Sequence, residues 1–199
     1  MRTLSIALVL GVAVGASGWV ADQGPVLVKW TSAIAAAWLI GAFVAGALAR
    51  GAARAAVAGA ATIVVGVGTY YVLFFVMEGV SLRYGVVAGI AWSTVGVGIG
   101  AVLGWAGHAW RAGRLQPVGV ALLSGALVGE AMLLLGEWQR PAARAVLACE
   151  LVLGAMLPFV LARRRLAVSV ALTMLVAVVV VGAEDSVRHA MRAAGWRGA

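Results

Sequence analysis

Charged side chains are scarce in this chain. Only 11% of its residues are Asp, Glu, Lys or Arg, whereas 64% are hydrophobic, and the mean hydropathy is +1.06. A soluble fold needs more polar side chains than this to cover its surface. The scarcity of charge therefore excludes a soluble globular domain and indicates that lipid is the solvent for most of the chain.

Residues that carry most enzyme and redox chemistry are also few. Cys149 is the single cysteine, so no intrachain disulfide can form. The sequence has no glycine loop of the Walker type and no cluster of His, Cys and acidic residues at metal-ligand spacing. We therefore predict no cofactor, no metal site and no catalytic residue, and an enzyme is the less favoured interpretation.

The chain consists mainly of seven long apolar blocks separated by short connectors. The blocks cover residues 3–21, 31–49, 55–77, 86–107, 118–136, 142–162 and 166–183. Each has the length that an α-helix needs to cross a hydrocarbon core of about 30 Å. We predict an all-α fold, a polytopic bundle of seven membrane-spanning helices with short loops, formed by residues 1–183. The tail 184–199 is either a short interfacial helix anchored by Trp196 or a frayed terminus.

The net charge of +8 follows a membrane topology rather than a nucleic-acid surface. If the amino terminus is cytoplasmic, eight arginines and no acid fall inside and four cations fall outside, which obeys the positive-inside rule. The inner cations are Arg2, Arg50, Arg54, Arg111, Arg114, Arg163, Arg164 and Arg165, and the outer ones are Lys29, Arg83, Arg140 and Arg144. We predict a multi-pass protein of the cell membrane with an external carboxyl terminus and no nucleic-acid partner.

Two carboxylates lie deep in the predicted spans. At helical rise, Glu130 sits roughly 9 Å and Glu150 roughly 12 Å below the outer ends of the fifth and sixth blocks. They can face each other across the hairpin that joins these blocks. Two close carboxylates in a low dielectric do not both stay ionised, so the pair implies a shared proton, an arginine such as Arg144, or a bound cation. The alternative is a hydrogen-bonded clamp between the two helices.

Aromatic rings occur at a similar predicted depth. Trp38, Tyr70, Tyr71 and Trp92 each lie about 9 to 10 Å below the outer end of their block. Rings that point inward would form, with the glutamates, a cage for an ammonium group or a flat cationic heterocycle. Rings that point outward would be ordinary lipid-facing surface. The direction of each ring is not fixed by its position in the sequence.

Small residues form a stripe on the first helix. Ala7, Gly11 and Gly15 are four residues apart and therefore share one face. Such a stripe allows two membrane helices to approach closely. It fits either packing inside this bundle or docking of a partner membrane subunit or of a second copy of the chain.

Several segments resemble a known family. The run 19–25, Trp38 with 41–46, the pair Tyr70 and Tyr71, and the segment 124–131 resemble an uncharacterised family of small bacterial integral membrane proteins that span most of this length. That resemblance implies an inner-membrane protein but no function. More loosely, the size and the small-residue stripe resemble the S components of energy-coupling-factor transporters, which have six helices where seven are predicted here.

Two functional hypotheses follow from these features. The first is a protein that binds or transports a small, cationic or amine-bearing solute from outside, with Glu130 and Glu150 as counter-charge and with Trp38, Tyr70 or Tyr71, and Trp92 as stacking surface. The second is a non-transporting scaffold or accessory subunit that recruits a partner through glycine-rich helix faces.

Overall fold

The computed structural model describes residues 2–25, 35–79, 81–113, 115–137 and 139–193. Every regular element in these ranges is helical, which confirms the predicted all-α bundle. The helices are α1 Arg2–Asp22, α2 Ala36–Ala47, α3 Ala52–Glu78, α4 Leu82–Ala112, α5 Gln116–Leu134, α6 Pro141–Leu161 and α7 Leu166–Ala193. Single 3₁₀ turns at Leu135–Glu137 and Arg163–Arg165 flank α6.

Six of these helices, all except α2, are long and apolar enough to cross a membrane. Many large apolar side chains on them are exposed on the protein surface, for example Val9, Ile90 and Val178. Apolar side chains in such numbers require a lipid environment rather than water. The protein is therefore a multi-pass membrane protein.

The second predicted span differs most from expectation. Its described part is a helix of only 12 residues, about 18 Å long at helical rise, and positions 31–34 of the predicted block lie outside the described residues. A helix of that length cannot cross the hydrocarbon core alone. It needs no lipid contact along most of its length, because it packs against α1, α3, α4 and α5 and most of its residues are buried.

The carboxyl-terminal helix is longer than its predicted block. It is continuous from Leu166 to Ala193 and does not break at residue 184, where the sequence predicts a separate tail. The segment contains no proline, and its Ala, Glu and Arg residues favour helix. Trp196, the predicted anchor, lies outside the described residues.

Close helix contacts depend on glycine. α3 and α4 touch through their backbones where Gly59 faces Gly100 and Gly104: a Cβ on Gly59 would lie 2.7 Å from the Cα of Gly104. α4 approaches α2 in the same way, because a Cβ on Gly107 would lie 2.8 Å from the backbone nitrogen of Ala47. Small residues at these crossings let the helices gain van der Waals contact that lipid alone does not drive.

The helices form two groups. α1, α2 and α4 pack around α3, whereas α6 and α7 pack on α5. Contacts of α5 with α4 and α2 join the groups. The main buried apolar cluster lies at this junction, with Leu39 and Phe43 from α2, Leu103 from α4, and Leu123 and Leu127 from α5.

Candidate functional site

The structure brings Glu130 and Glu150 together. α5 and α6 are antiparallel neighbours, and the Ser124 hydroxyl of α5 donates a hydrogen bond to the carbonyl of Gly154 in α6. In that register Glu130 is level with position 148 of α6, two residues from Glu150, and the two carboxyl groups lie within hydrogen-bonding reach of each other. The two carboxylates therefore face each other across the α5–α6 hairpin, as the sequence allows.

Glu150 is the more deeply buried member of the pair. It is only 1% exposed, and neither of its carboxyl oxygens receives a hydrogen bond from an N–H or hydroxyl group within the described parts of the chain. The Glu130 carboxyl is its acidic neighbour. An ionised carboxylate in such surroundings would be strongly destabilised, and a second charge beside it would add repulsion. The pair therefore requires a positive charge, which a proton or a bound cation can supply.

Glu130 also holds the amino-terminal end of α2. The backbone N–H of Ala35, directly before that helix, donates a hydrogen bond to Oε1 of Glu130. The first N–H groups of a helix have no partners within the helix and carry a partial positive charge. A carboxylate from α5 thus satisfies one of these groups inside the bundle. The start of a short helix at residue 36 was not predicted from the sequence.

Further buried polar groups lie on the same side of the molecule. The hydroxyls of Ser169 and Thr173 in α7 are buried and have no hydrogen-bond partner among the described residues. A Cβ on Gly125 of α5 would lie 2.7 Å from the carbonyl oxygen of Thr173, so these hydroxyls belong to the α5–α7 interface next to Ser124. The interior around α5 is therefore more polar than the rest of the core. Single Ser and Thr residues in apolar blocks give no signal of this clustering.

The side chain of Tyr70 reaches the carboxyl-terminal end of α1. Its hydroxyl donates a hydrogen bond to Oδ2 of Asp22, and its ring stacks on Phe74 with centroids 5.8 Å apart. Tyr71 meets Tyr70 edge to face at 5.2 Å. The pairing of Asp22 with Tyr70 was not predicted from the sequence.

The other rings lie in different surroundings. Trp38 fits into a gap left by two glycines: a Cβ on Gly66 would lie 2.7 Å from its Cζ3, and one on Gly18 would lie 3.5 Å from its Cζ2. Tyr71 packs against the main buried cluster, as Trp38 does. Trp92 is 45% exposed on the outer surface of α4. Trp38 of α2 thus packs against α1 and α3, and Tyr71 of α3 lies against α4, where a Cβ on Gly89 would be 3.6 Å from its Cδ2; Trp92 belongs to the exposed surface.

The small-residue stripe of α1 lies against α3. Ala7 is fully buried and its carbonyl accepts a hydrogen bond of 3.3 Å from the Thr62 hydroxyl. A Cβ on Gly11 would lie 2.7 Å from the carbonyl oxygen of Thr62, and one on Gly15 would meet the carbonyl oxygen of Gly66. The face that the sequence offers either to the bundle or to a partner is occupied by the bundle.

Polar contacts also join α1 and α3 at their common end. Oε1 of Glu78 accepts hydrogen bonds from Nε1 of Trp19 at 3.2 Å and from Nε2 of Gln23 at 2.6 Å. α3 ends here because Gly79 adopts the left-handed conformation, with φ of 65°, which glycine tolerates best. These exposed contacts fix the helix ends and lie apart from the buried carboxyl pair.

The comparisons with known proteins concern the whole chain. A family described only as one of unknown function, DUF6518, matches residues 1–189. No curated protein and no solved structure matches the chain, so the looser resemblance to S components of energy-coupling-factor transporters gains no support. The predicted membership of an uncharacterised family is confirmed. Because the match covers nearly the whole sequence, this membrane protein belongs to the family of unknown function DUF6518.

Proposed function

We propose that this protein binds a small cationic or amine-bearing solute at the Glu130–Glu150 pair and moves it through the membrane in exchange for a proton. The observation that carries the proposal is the environment of Glu150. This carboxyl is 1% exposed, receives no hydrogen bond from the described donors and faces a second carboxyl.

The electrostatics of the pair support a site that alternates between two occupants. Two adjacent carboxyls in a low dielectric can share one proton, or they can remain ionised around a cation. The N–H of Ala35 and the start of α2 offset part of the charge on Glu130. Nothing equivalent offsets charge on Glu150 within the described residues. A permanent structural clamp would be expected to satisfy both oxygens of such a group.

Exchange follows from this charge balance. In the absence of solute the pair keeps one proton, and a monovalent cation entering between the carboxyls replaces that proton. One proton then leaves for each cation bound. Ionisable groups placed within a membrane are expensive and are typical of ion and proton pathways.

The rings contribute unequally to the proposed site. Trp38 and Tyr71 both pack against the main buried cluster, and Trp38 follows by three residues Ala35, whose N–H donates a hydrogen bond to Glu130; these two rings can supply an apolar, cation-attracting wall. Tyr70 is bound to Asp22 and Trp92 is 45% exposed on the surface. We therefore assign the counter-charge to the glutamates and the wall to Trp38 and Tyr71.

The test measures binding and proton release together. Detergent-purified protein in weakly buffered solution is titrated with a panel of primary, quaternary and aromatic amines, while the thermal midpoint and the pH are recorded. A binding amine should release about one proton per protein, and its log Kd should fall by about one per unit rise in pH while the pair holds its proton. Glu130→Gln and Glu150→Gln should abolish both signals.

Glu78→Gln is the matched control, because Glu78 is an exposed carboxyl of the same protein and makes no part of the buried pair. It should leave amine binding unchanged. If no amine gives a shift that depends on Glu150, or if binding occurs without proton release, the proposal fails.

A scaffold role has less structural support. Docking through Ala7, Gly11 and Gly15 would require α3 to leave α1, since a Cβ on Gly11 already lies 2.9 Å from the Cβ of Val65. We therefore make no second functional proposal on that stripe.

A further inference from the structure

We propose that an anionic phospholipid docks in a groove at the arginine-rich end of the bundle, with one acyl chain between α2, α5 and α6 and its phosphate at Arg163 and Arg164. This site is separate from the carboxyl pair and does not depend on the function proposed above.

The first observation is an apolar groove of about 410 Å³. Its walls come from the carboxyl-terminal half of α2, from Trp110 of α4, from the first half of α5 and from the last half of α6. They include Phe43, Leu123, Leu153 and Leu157. The volume falls within the range of about 300 to 1,000 Å³ that is typical of small-molecule sites, and the purely apolar wall suits a hydrocarbon chain.

The second observation is a cationic pocket that shares a wall with the groove. This pocket, of about 340 Å³, is lined by Gln116, Val160, Leu161, Arg163 and Arg164, and Leu161 also lines the apolar groove. Gln116 stands at the amino-terminal end of α5, where the helix dipole is positive. Its side-chain amide donates a hydrogen bond to the carbonyl of Leu161, which places the polar pocket directly at the end of the apolar groove.

The two arginines are available to an anion. Arg163 and Arg164 are exposed and lie in one 3₁₀ turn. Nε of Arg163 donates a hydrogen bond of 3.1 Å to the carbonyl of Phe159, which orients the guanidinium. Arg111 adds charge at the other rim, because its Nη1 donates a hydrogen bond of 2.8 Å to the carbonyl of Ala47, and Ala47 lines the groove.

This arrangement fits one class of ligand. Guanidinium groups bind phosphate oxygens in a bidentate manner, and basic pockets between membrane helices bind the head groups of anionic lipids. A neutral lipid would use the groove but not the arginines. A free phosphate would use the arginines but not the groove. Only an anionic phospholipid uses both.

Native mass spectrometry of detergent-purified protein tests the proposal by titration with dioleoyl phosphatidylglycerol, dioleoyl phosphatidylcholine and inorganic phosphate. We expect phosphatidylglycerol to bind more tightly than the other two. Each basic residue near an anionic head group changes affinity about fivefold, so Arg163→Gln with Arg164→Gln should weaken phosphatidylglycerol binding about thirtyfold.

The matched control is Arg54→Gln with Arg165→Gln, which removes the same charge from two exposed arginines that do not line the pocket. A second pair of variants tests the groove. Leu153→Trp fills it, whereas Leu151→Trp changes a similarly exposed residue of the same helix outside it. Only Leu153→Trp should weaken binding of both lipids.

Three outcomes would overturn the proposal: equal affinity for the two lipids, an equal loss in the two arginine double variants, or saturable binding of inorganic phosphate at the affinity of the lipid. Retention of phosphatidylglycerol by Leu153→Trp would overturn the groove assignment in the same way.

Discussion

Replacing Glu150 by methionine should stabilise the protein while abolishing its proposed function. Methionine has a similar volume and fills irregular spaces well. Glu150 is 1% exposed and its oxygens receive no hydrogen bond from the described donors, so the substitution removes a buried polar group without breaking a bond from the protein backbone.

The expected magnitude follows from the cost of that burial. An unsatisfied buried polar group costs about 1 to 3 kcal/mol, and apolar replacements of buried charged groups are neutral or stabilising by about 1 to 4 kcal/mol. We expect a gain of about 2 kcal/mol for Glu150→Met. For a chain of this size that gain corresponds to a rise of about 4 to 8 °C in the thermal midpoint.

The assay is thermal unfolding in detergent, followed by the fluorescence of the 8 tryptophans. Leu151→Met is the control, because it makes a conservative change at an exposed apolar position beside Glu150 and should leave the midpoint unchanged. A loss of 2 kcal/mol or more in Glu150→Met would refute the reasoning, since it would show that the carboxyl stabilises the α5–α6 contact as a clamp.

Three further predictions concern helix packing. Gly59→Ala should lower the free energy of unfolding by about 1 to 3 kcal/mol, because the new Cβ meets the backbone of α4. The control Gly68→Ala, on the same helix, has open space around it and should not destabilise the protein. Equal losses in the two variants would contradict the close contact between α3 and α4. Gly15→Leu should lower the thermal midpoint of the isolated chain by separating α1 from α3, whereas the control Val12→Leu, at an exposed position, should not. An unchanged midpoint in Gly15→Leu would argue against the packing of α1 on α3. Tyr70→Phe should lower the free energy of unfolding by about 1 to 2 kcal/mol through loss of the hydrogen bond to Asp22. A double-mutant cycle with Asp22→Asn should show a coupling energy of about 1 kcal/mol. Additive effects of the two substitutions would exclude the hydrogen bond.

The helices could be predicted from sequence because length and apolarity alone decide them. A run of about 20 apolar residues has few alternatives to a spanning helix in lipid. The meeting of Glu130 and Glu150 was also accessible, since a short connector makes α5 and α6 antiparallel neighbours and equal depth then brings the two positions to one level. Both predictions depend only on the number of residues in each helix and connector, which the sequence gives directly.

The parts that could not be predicted depend on helix rotation and on contacts between distant segments. α2 begins after Ala35, which has no side-chain cap; the nearest carboxylate comes from Glu130, 95 residues away in sequence. Trp38 enters a gap formed by Gly18 and Gly66. The residues around each glycine do not indicate that a ring from another helix packs there. Hydrophobic periodicity does not show which face of α1 or α5 points into the bundle, because both helices are apolar on almost all faces.

The position of Glu130 links the charge of the carboxyl pair to the packing of α2. This short helix touches α1, α3, α4 and α5, and its amino-terminal end depends on a carboxylate that also faces Glu150. An ionised Glu130 attracts the positive end of α2, whereas a protonated one attracts it less. The proposed change from a shared proton to a bound cation would therefore alter the free energy with which α2 is held, and α2 connects the α3 group of helices with α5. On that proposal, a change of one charge at the carboxyl pair would affect the packing of both groups of helices.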